Sequence, residues 1–366
     1  MEKIKIGVIG CGNISPIYFT NLKKFDFLQV AACSDLLIER AKARANEYKI
    51  PKACSVKELL ADPEIKVVLN LTIPIVHAEV DLQILTAGKH SYAEKPLAAN
   101  RNDGKKVMSE AKKRSLRVGS APDTFLGGGI QTCRKLIDDG FIGKPVAGTS
   151  FMLCHGHETW HPDPDFYYQK GGGPMFDMGP YYLTALINLL GPVKRVAAST
   201  KMTFPERLIT SQPKNGTIIK VNTTTHLAGV MDFANGAIVS MITSFDVWSA
   251  GLPCIEIYGT EGCIRVPDPN GFGGPVVVFK KGSKAWAETP LSHGYSENSR
   301  GLGVADMAKA IISERKHRAS GDMAFHVLDI MQSYDESSDA GRHIEIKSTC
   351  ERPQALPAGL GFGQVD

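Results

Sequence analysis

Between Ile4 and Gly119, short β-branched runs alternate with longer stretches of helical spacing. The runs are Ile4–Ile9, Leu28–Ala32, Val67–Leu71 and Leu116–Gly119. The stretches between them, Ile14–Lys24, Leu37–Tyr48, Val76–Ala87 and Asp103–Arg114, carry their charges on exposed positions. Such alternation predicts a parallel sheet with helices on both faces. The runs are apolar almost throughout, as strands covered on both sides must be. After about Ala121 the pattern changes. A helix is predicted over Ile130–Asp139, closed by Gly140, and strands over Val146–Leu153, Arg195–Met202, Thr223–Phe233, Ala237–Phe245, Cys254–Tyr258 and Val276–Lys280. Short turn signals between several of these, such as Ala234-Asn235-Gly236, predict antiparallel pairing. Further helices are expected over Tyr182–Leu190, Gly303–Ile312 and Ala324–Ser338, and the Pro- and Gly-rich last dozen residues read as a loose tail.

The change of pattern divides the chain of 366 residues into two expected domains, 1–122 and 123–366. Acids and bases nearly balance, leaving a formal charge of +4 with no block of one sign, so neither nucleic acid nor a membrane surface is expected as a partner. No apolar stretch approaches the length of a membrane span. The eight cysteines (11, 33, 54, 133, 154, 254, 263 and 350) form no Cys-x-x-Cys pair. Several lie in apolar runs and read as reduced thiols of a cytoplasmic protein, not as a disulfide frame or a zinc site. The first strand begins about Ile4, which leaves no room for a signal peptide.

Gly10-Cys11-Gly12-Asn13-Ile14-Ser15 follows the first strand and opens the first helix. That is the setting of a Rossmann dinucleotide fingerprint. Gly10 permits the tight turn, and Gly12 lets backbone approach a pyrophosphate at the helix N-terminus, where Asn13 and Ile14 follow. Ser15 stands in the third glycine position and is small enough for close helix–strand packing. Asp35, twenty residues beyond Ser15, ends the second strand. A carboxylate there accepts from the adenine ribose hydroxyls and repels a 2′-phosphate, which favours NAD over NADP. Arg40 nearby works the other way. The competing role for Asp35 is a cap for the next helix.

Thr72-Ile73-Pro74 and Glu94-Lys95-Pro96 each follow a strand of the parallel pattern, and His77 lies on the helix after the first; all should face the cofactor cleft at the strand carboxyl ends. Thr72, Pro74, His77, Glu94 and Lys95 are therefore assigned to the cofactor site. Together with Gly10–Ser15, Asp35, Gly88-Lys89-His90, Gly171-Gly172-Gly173 and Asp177-x-Gly179, these motifs resemble the glucose–fructose oxidoreductase / inositol dehydrogenase (Gfo/Idh/MocA) family over most of the chain. The resemblance implies an α/β protein: an N-terminal Rossmann domain and a C-terminal α/β domain with a large open, mainly antiparallel sheet that makes homodimers or homotetramers. It also implies NAD-dependent hydride transfer to or from a sugar, a cyclitol or a related polyol. By the same resemblance Lys95 is catalytic and Asp177 assists. Tyr181 occupies the position where an acid–base histidine is usual, a place where glucose–fructose oxidoreductase itself is similar in carrying tyrosine.

Physical reasoning reaches the same roles. Asp177 and Tyr181 share one face if a helix begins near Asp177, as Pro180 suggests. Alcohol oxidation needs a base for the hydroxyl proton, and a free phenol with pKa ~10 is a poor one at neutral pH. A nearby ammonium lowers that value. Tyr181 is thus expected to exchange the proton, Lys95 to tune it and hold the substrate hydroxyl, and Asp177 to orient both. Tyr182 is the rival aromatic.

His155-Gly156-His157-Glu158-Thr159-Trp160-His161 raises a metal reading, but its spacing is not that of a zinc-binding helix, and hydride transfer needs no metal. With Phe166, Tyr167 and Tyr168 it reads instead as a sugar-binding wall of aromatic faces and hydrogen-bonding groups. His155, His157, Trp160, His161, Tyr167 and Tyr182 are the substrate candidates, with His226 and Asp246 as weaker ones. Two other functions share these residues. One is a redox-neutral enzyme that holds NAD tightly and oxidises its substrate transiently. The other is a non-catalytic sensor of NAD or sugar.

Overall fold

The computed structural model describes residues 3–366. Strands β1 (Ile4–Ile9), β2 (Leu28–Ser34), β3 (Lys52–Ala53), β4 (Ile65–Asn70), β5 (His90–Ala93) and β6 (Val118–Ser120) form one six-stranded sheet in the order β3-β2-β1-β4-β5-β6. Every pairing in it is parallel. The connecting helices are α1 (Ser15–Leu22), α2 (Ile38–Tyr48), α3 (Val56–Ala61), α4 (His77–Thr86) and α5 (Arg101–Lys113). The strand order reverses direction between β1 and β4, which opens a crevice beyond their carboxyl ends. Val8, Val67, Val68 and Leu69 are completely buried, which is why these strands read as largely apolar runs. Each such side chain contributes about 1.5–3 kcal/mol of transfer free energy.

The sequence pattern sets no bounds for strands β3 and β5 or helix α3, although it predicts a strand before Glu94. β5 is only four residues, His90-Ser91-Tyr92-Ala93, with polar side chains among them. It is stabilised from within: Ser91 Oγ donates to the buried Asp81 carboxylate at 2.7 Å. Helix α3 begins with a complete capping box, in which Ser55 accepts from the Glu58 amide and Glu58 accepts from Ser55.

Beyond β6 the chain runs through α6 (Gly128–Asp138), β7 (Pro145–Leu153), α7 (Gly173–Asp177), α8 (Gly179–Leu190), β8 (Val193–Lys201), β9 (Glu206–Leu208), β10 (Ile218–Lys220), β11 (His226–Phe233) and β12 (Ile238–Ser244). It continues through β13 (Ile255–Gly259), β14 (Gly262–Val266), β15 (Val276–Lys280), β16 (Ala287–Thr289), α9 (Leu302–Ile312), α10 (Gly321–Ala340) and β17 (Ile344–Glu345). Nine of these strands form a second sheet, β16-β15-β14-β13-β7-β12-β11-β8-β17. Only the β7–β12 pair is parallel, so the sheet is mixed and mostly antiparallel. Helices α6, α8 and α10 pack against it, over a buried face that includes Val239, Met241, Ile255 and Ile257. The opposite face carries Thr149, Phe151, Ala228, Val230, Ser240 and Ile242, all half-buried or exposed. β9 and β10 form a separate hairpin.

The C-terminal residues are not the loose tail that their Pro and Gly content suggests. Leu356 and Val365 are buried, the Leu356 amide donates to Gln131 Oε1 at 2.8 Å, and Tyr295 Oη donates to the Gln364 carbonyl at 2.6 Å. Two apolar anchors and backbone hydrogen bonds hold an extended strap that composition alone conceals.

Candidate active site

The turn from β1 into α1 is shaped by its glycines. Gly10 has φ +102°, and a Cβ there would meet the Leu71 carbonyl at 2.6 Å. At Gly12 a Cβ would meet nothing within 4 Å, so the chain has open space above the helix N-terminus. Ser15 fills the third position by packing fully buried and donating its hydroxyl to the Gly12 carbonyl at 2.8 Å. Asn13 and Ile14 are exposed on the same turn. At the end of β2, Asp35 Oδ2 accepts from the Cys11 amide at 2.8 Å and Oδ1 from the Leu37 amide at 2.9 Å. One carboxylate thus ties the glycine turn to the start of α2. These features fit a dinucleotide: a turn free of side chains, unobstructed amides, and an acid at the strand edge where a ribose would lie.

The loop after β4 is set by Asn70, which no motif flagged. Its Oδ1 accepts from the Thr72 amide and hydroxyl at 3.2 and 2.6 Å, while its Nδ2 donates to the His77 carbonyl and Asp81. His77 is buried and turns away from the cleft. Its ring nitrogens face the Pro96 carbonyl at 2.7 Å and the Thr72 carbonyl at 2.9 Å, bracing the two loops that carry Thr72, Pro74 and Glu94-Lys95. Glu94 accepts from Tyr18 Oη at 2.6 Å and from the Lys95 amide at 2.9 Å.

A cleft of about 630 Å³ lies over these loops, lined on one side by Ile14, Thr72, Pro74, Glu94 and Lys95 and on the other by His157, Trp160, Tyr167, Asp177 and Tyr181. At its centre Lys95 Nζ donates to Asp177 Oδ1 at 2.8 Å and to the Asp177 carbonyl at 2.6 Å. The other carboxylate oxygen of Asp177 meets His157 Nε2 at 3.0 Å. Lys95 Nζ also sits 5.3 Å from the centre of the Tyr181 ring. Burial pulls the Lys95 ammonium toward lower pKa, but Asp177 outweighs it and the net shift is upward. Burial likewise pushes Asp177 up, and Lys95 with His157 overcomes that and holds it down to about 2. The pair is therefore a fixed ammonium–carboxylate. Tyr181 differs: burial raises its pKa, Lys95 and Arg300 lower it, Glu94 raises it, and the balance stays above the ordinary tyrosine value. Lysine proximity alone does not bring the phenol down to neutrality.

Asp177 and Tyr181 do not share one helix. α7 ends at Asp177 and α8 begins at Gly179, with Met178 at the break. Both side chains nonetheless line the cleft. Tyr182 is placed elsewhere: it is buried, absent from the cleft wall, and lies beside Cys254, with burial raising its pKa. In the first turn of α8 successive side chains diverge by about 100°, so Tyr181 and Tyr182 cannot both face the cleft.

The histidine-rich loop divides. His157 faces Asp177, Trp160 lines the cleft at 60% exposure, and Tyr167 packs edge-on to His157. His155 turns outward and stacks on Trp248, with ring centres 3.4 Å apart. His161 accepts from the Asp163 amide at 3.0 Å and packs on Phe166 and Tyr167 behind the wall. His226 lies on β11 against Ser244. The loop is held by a buried ionic cluster in which Arg207 on β9 pairs with Glu158 at 2.7 Å and with Asp246. Tyr168 Oη donates to the same Glu158. Arg300 and Asn270 also line the cleft, and sequence reasoning missed both, because neither belongs to a recognisable motif.

A parallel sheet with an open glycine turn and a lysine on the loop after β5, joined to a second sheet whose helices carry an aspartate and a tyrosine into the shared cleft, defines a dinucleotide-binding oxidoreductase. Sequence comparison gives the same class. The profile of the Gfo/Idh/MocA oxidoreductase family, NAD-binding Rossmann fold, matches residues 4–121, and that of the Gfo/Idh/MocA C-terminal domain matches residues 130–265. The chain belongs to the Gfo/Idh/MocA family. It is 25% identical to the myo-inositol 2-dehydrogenase of Thermotoga maritima over 263 residues, covering 71% of this chain and 74% of that one. It is also 25% identical to the levoglucosan dehydrogenase of Pseudarthrobacter phenanthrenivorans over 292 residues, covering 72% and 73%. Among solved structures, levoglucosan dehydrogenase in complex with NADH and L-sorbose superposes with a TM-score of 0.80 at 20% identity, over 95% of this chain and all of that one (100%).

Proposed function

We propose that the protein is an NAD(H)-dependent dehydrogenase that transfers hydride between nicotinamide and a hydroxyl or ketone carbon of a sugar, a cyclitol or a glycoside. The observation that carries this reading is the convergence of Lys95, Asp177 and Tyr181 in one cleft, between the glycine turn and an aromatic wall. Gly10, Gly12, Asn13, Ile14 and Asp35 would hold the dinucleotide, with Thr72, Pro74 and Glu94 beside the nicotinamide end. NAD is preferred to NADP because the Asp35 carboxylate stands where a 2′-phosphate would be repelled. Bound NAD would supply the hydride acceptor or donor.

The chain's own residues handle the proton. Tyr181 takes it from the substrate hydroxyl in oxidation and returns it to the carbonyl oxygen in reduction. Lys95, fixed by Asp177, donates a hydrogen bond to that same oxygen. Trp160 and Tyr167 offer flat apolar faces to a sugar ring, and His157 offers a polar edge. Because burial keeps the phenol protonated at neutral pH, Tyr181 is poised to donate, and oxidation is expected to quicken as pH rises. The relatives named for inositol and levoglucosan oxidation support the substrate class. The half-covered face of the second sheet, around Phe151 and Ile242, is proposed as the surface through which copies of the chain associate.

The test is turnover of Tyr181→Phe with the cofactor and a responsive sugar. The reading expects a fall of about 10²–10⁴-fold with cofactor affinity retained. Full turnover would remove Tyr181 from the chemistry.

A further inference from the structure

Arg300 lies just before α9, far in sequence from every motif of the site, yet it lines the cleft. Its guanidinium carbon is 6.0 Å from the centre of the Tyr181 ring, while Lys95 Nζ is 5.3 Å from the same point. The side chain is held from several directions. Nη1 donates to Asn298 Oδ1 at 3.0 Å, and Nη2 donates to Asn270 Oδ1 at 2.7 Å and to the Asn270 carbonyl at 3.3 Å. Its own carbonyl accepts from Asn21 Nδ2 on α1 at 2.9 Å. The Gly301 and Gly303 amides that follow donate to the buried Asp123 carboxylate at 2.8 and 2.9 Å. The segment is therefore built into the junction between the cofactor helix and the cleft.

We propose that Arg300 is a positioning residue for proton exchange: its guanidinium, fixed against Tyr181, stabilises the phenolate and so sets how readily Tyr181 releases and accepts a proton. The inference rests on the role given to Tyr181 above. Chemistry distinguishes Arg300 from Lys95. The charge of Lys95 is offset at contact by the Asp177 carboxylate. The guanidinium of Arg300 is gripped by neutral amide oxygens, so more of its field reaches the phenol, and a guanidinium does not lose its proton in the working range. The other charged groups near Tyr181 are Glu94, which opposes ionisation, and Lys95, which favours it. Asp123 stands behind Arg300; burial pushes it up to about 6, so it is mostly charged at neutrality, but its carboxylate is taken up by the Gly301 and Gly303 amides and not by the guanidinium. During oxidation the Tyr181 proton leaves to solvent, and the phenolate then takes the substrate hydroxyl proton as hydride leaves the same carbon. Arg300 forms and breaks no bond; it alters the cost of the phenolate.

The test needs no substrate. Tyrosines are replaced throughout with 3-fluorotyrosine, and the fluorine resonance of residue 181, identified by its loss in Tyr181→Phe, is titrated by NMR. Arg300→Gln is expected to raise the midpoint by about one pH unit, the effect of removing a cation at this range. Arg300→Lys should restore most of the difference. If Arg300→Gln does not fold, Asn270→Ala, which frees the guanidinium from its anchor, should shift the midpoint in the same direction by less. An unmoved resonance in whichever of these variants folds overturns the inference and leaves the role of Tyr181 intact. Full turnover of Tyr181→Phe removes the reading and the inference together.

Discussion

At the scale of single residues, the site separates positions that shape the protein from positions kept clear for a ligand. Gly10 is enclosed, and its φ of +102° disfavours any side chain. Gly10→Ala is expected to lower stability by about 1–3 kcal/mol, measured by urea unfolding, and to weaken NAD binding as well. Gly12 faces open space. Gly12→Val should keep wild-type stability while losing at least about tenfold in NAD affinity, since about 1.4 kcal/mol is tenfold; isothermal titration beside the unfolding curve separates the two effects. Equal affinity in Gly12→Val would mean that the pyrophosphate lies elsewhere. For Tyr181 the sign follows from its raised pKa. Oxidation needs the phenolate, so its rate should climb through the alkaline range, whereas carbonyl reduction needs the phenol and should be flat until that range is reached. Opposite limbs in the two directions check this, and a neutral optimum for both would point to another base. Gly10, Asp35, Lys95 and Asp177 were legible in the chain because each belongs to a motif with a fixed spacing. Arg300 and Asn270 were not, because each reaches the cleft from a segment distant in sequence from the motifs, and Asn70 was not, because its bonds to Thr72, His77 and Asp81 correspond to no motif.

At the scale of elements, the aromatic wall depends on the cluster of Arg207, Glu158 and Asp246, whose side chains are all at least nine-tenths buried. Removing the cation leaves two buried carboxylates without a counter-charge, a change on the order of 3–5 kcal/mol. Arg207→Met is expected to lower Tm and to raise KM for the substrate more than it lowers NAD affinity. Unchanged KM would show that the wall does not touch the substrate. Strong periodicity made most helices and long strands readable. β5 was expected ahead of Glu94 but without bounds, since four residues with a polar member that bonds to Asp81 show no alternation. The helix expected to carry Asp177 and Tyr181 together breaks at Met178, a distinction that one proline could not convey. The seven-residue run of three histidines pointed to the right loop but could not tell that only His157 faces inward, because direction depends on Tyr168, Arg207 and Trp248 from other segments.

At the scale of the whole molecule, α10 ties the second sheet to the C-terminal segment through His326. Its ring accepts from the Val193 amide at 3.0 Å and lies 2.9 Å from Ser348 Oγ. Burial pushes its pKa down to about 4 from an ordinary 6.5. The unfolded chain therefore takes up a proton before the folded one does, and the stabilisation present above pH 6.5 is lost as pH falls toward 4. By pH 5 the loss amounts to about 2 kcal/mol. The denaturation midpoint should fall over this window, less steeply in His326→Gln, and parallel curves for the two proteins would contradict the assignment. Association through the open sheet face predicts that Ile242→Asp yields a smaller species by light scattering with the fold retained. The presence of two sheets was readable from the switch between periods. How the cleft is completed was not, because Arg300 arrives from the connection into α9, after the last strand of the second sheet but one.

The central claim is hydride transfer between a nicotinamide and a carbohydrate-like alcohol. The most direct measurement is absorbance of reduced nicotinamide while the protein, with NAD supplied, meets a panel of sugars, inositols and glycosides. The account predicts a rise with one chemical group of substrates, in free or protein-held cofactor, that is abolished in Lys95→Ala. No change across the panel in a protein that binds NAD would contradict it.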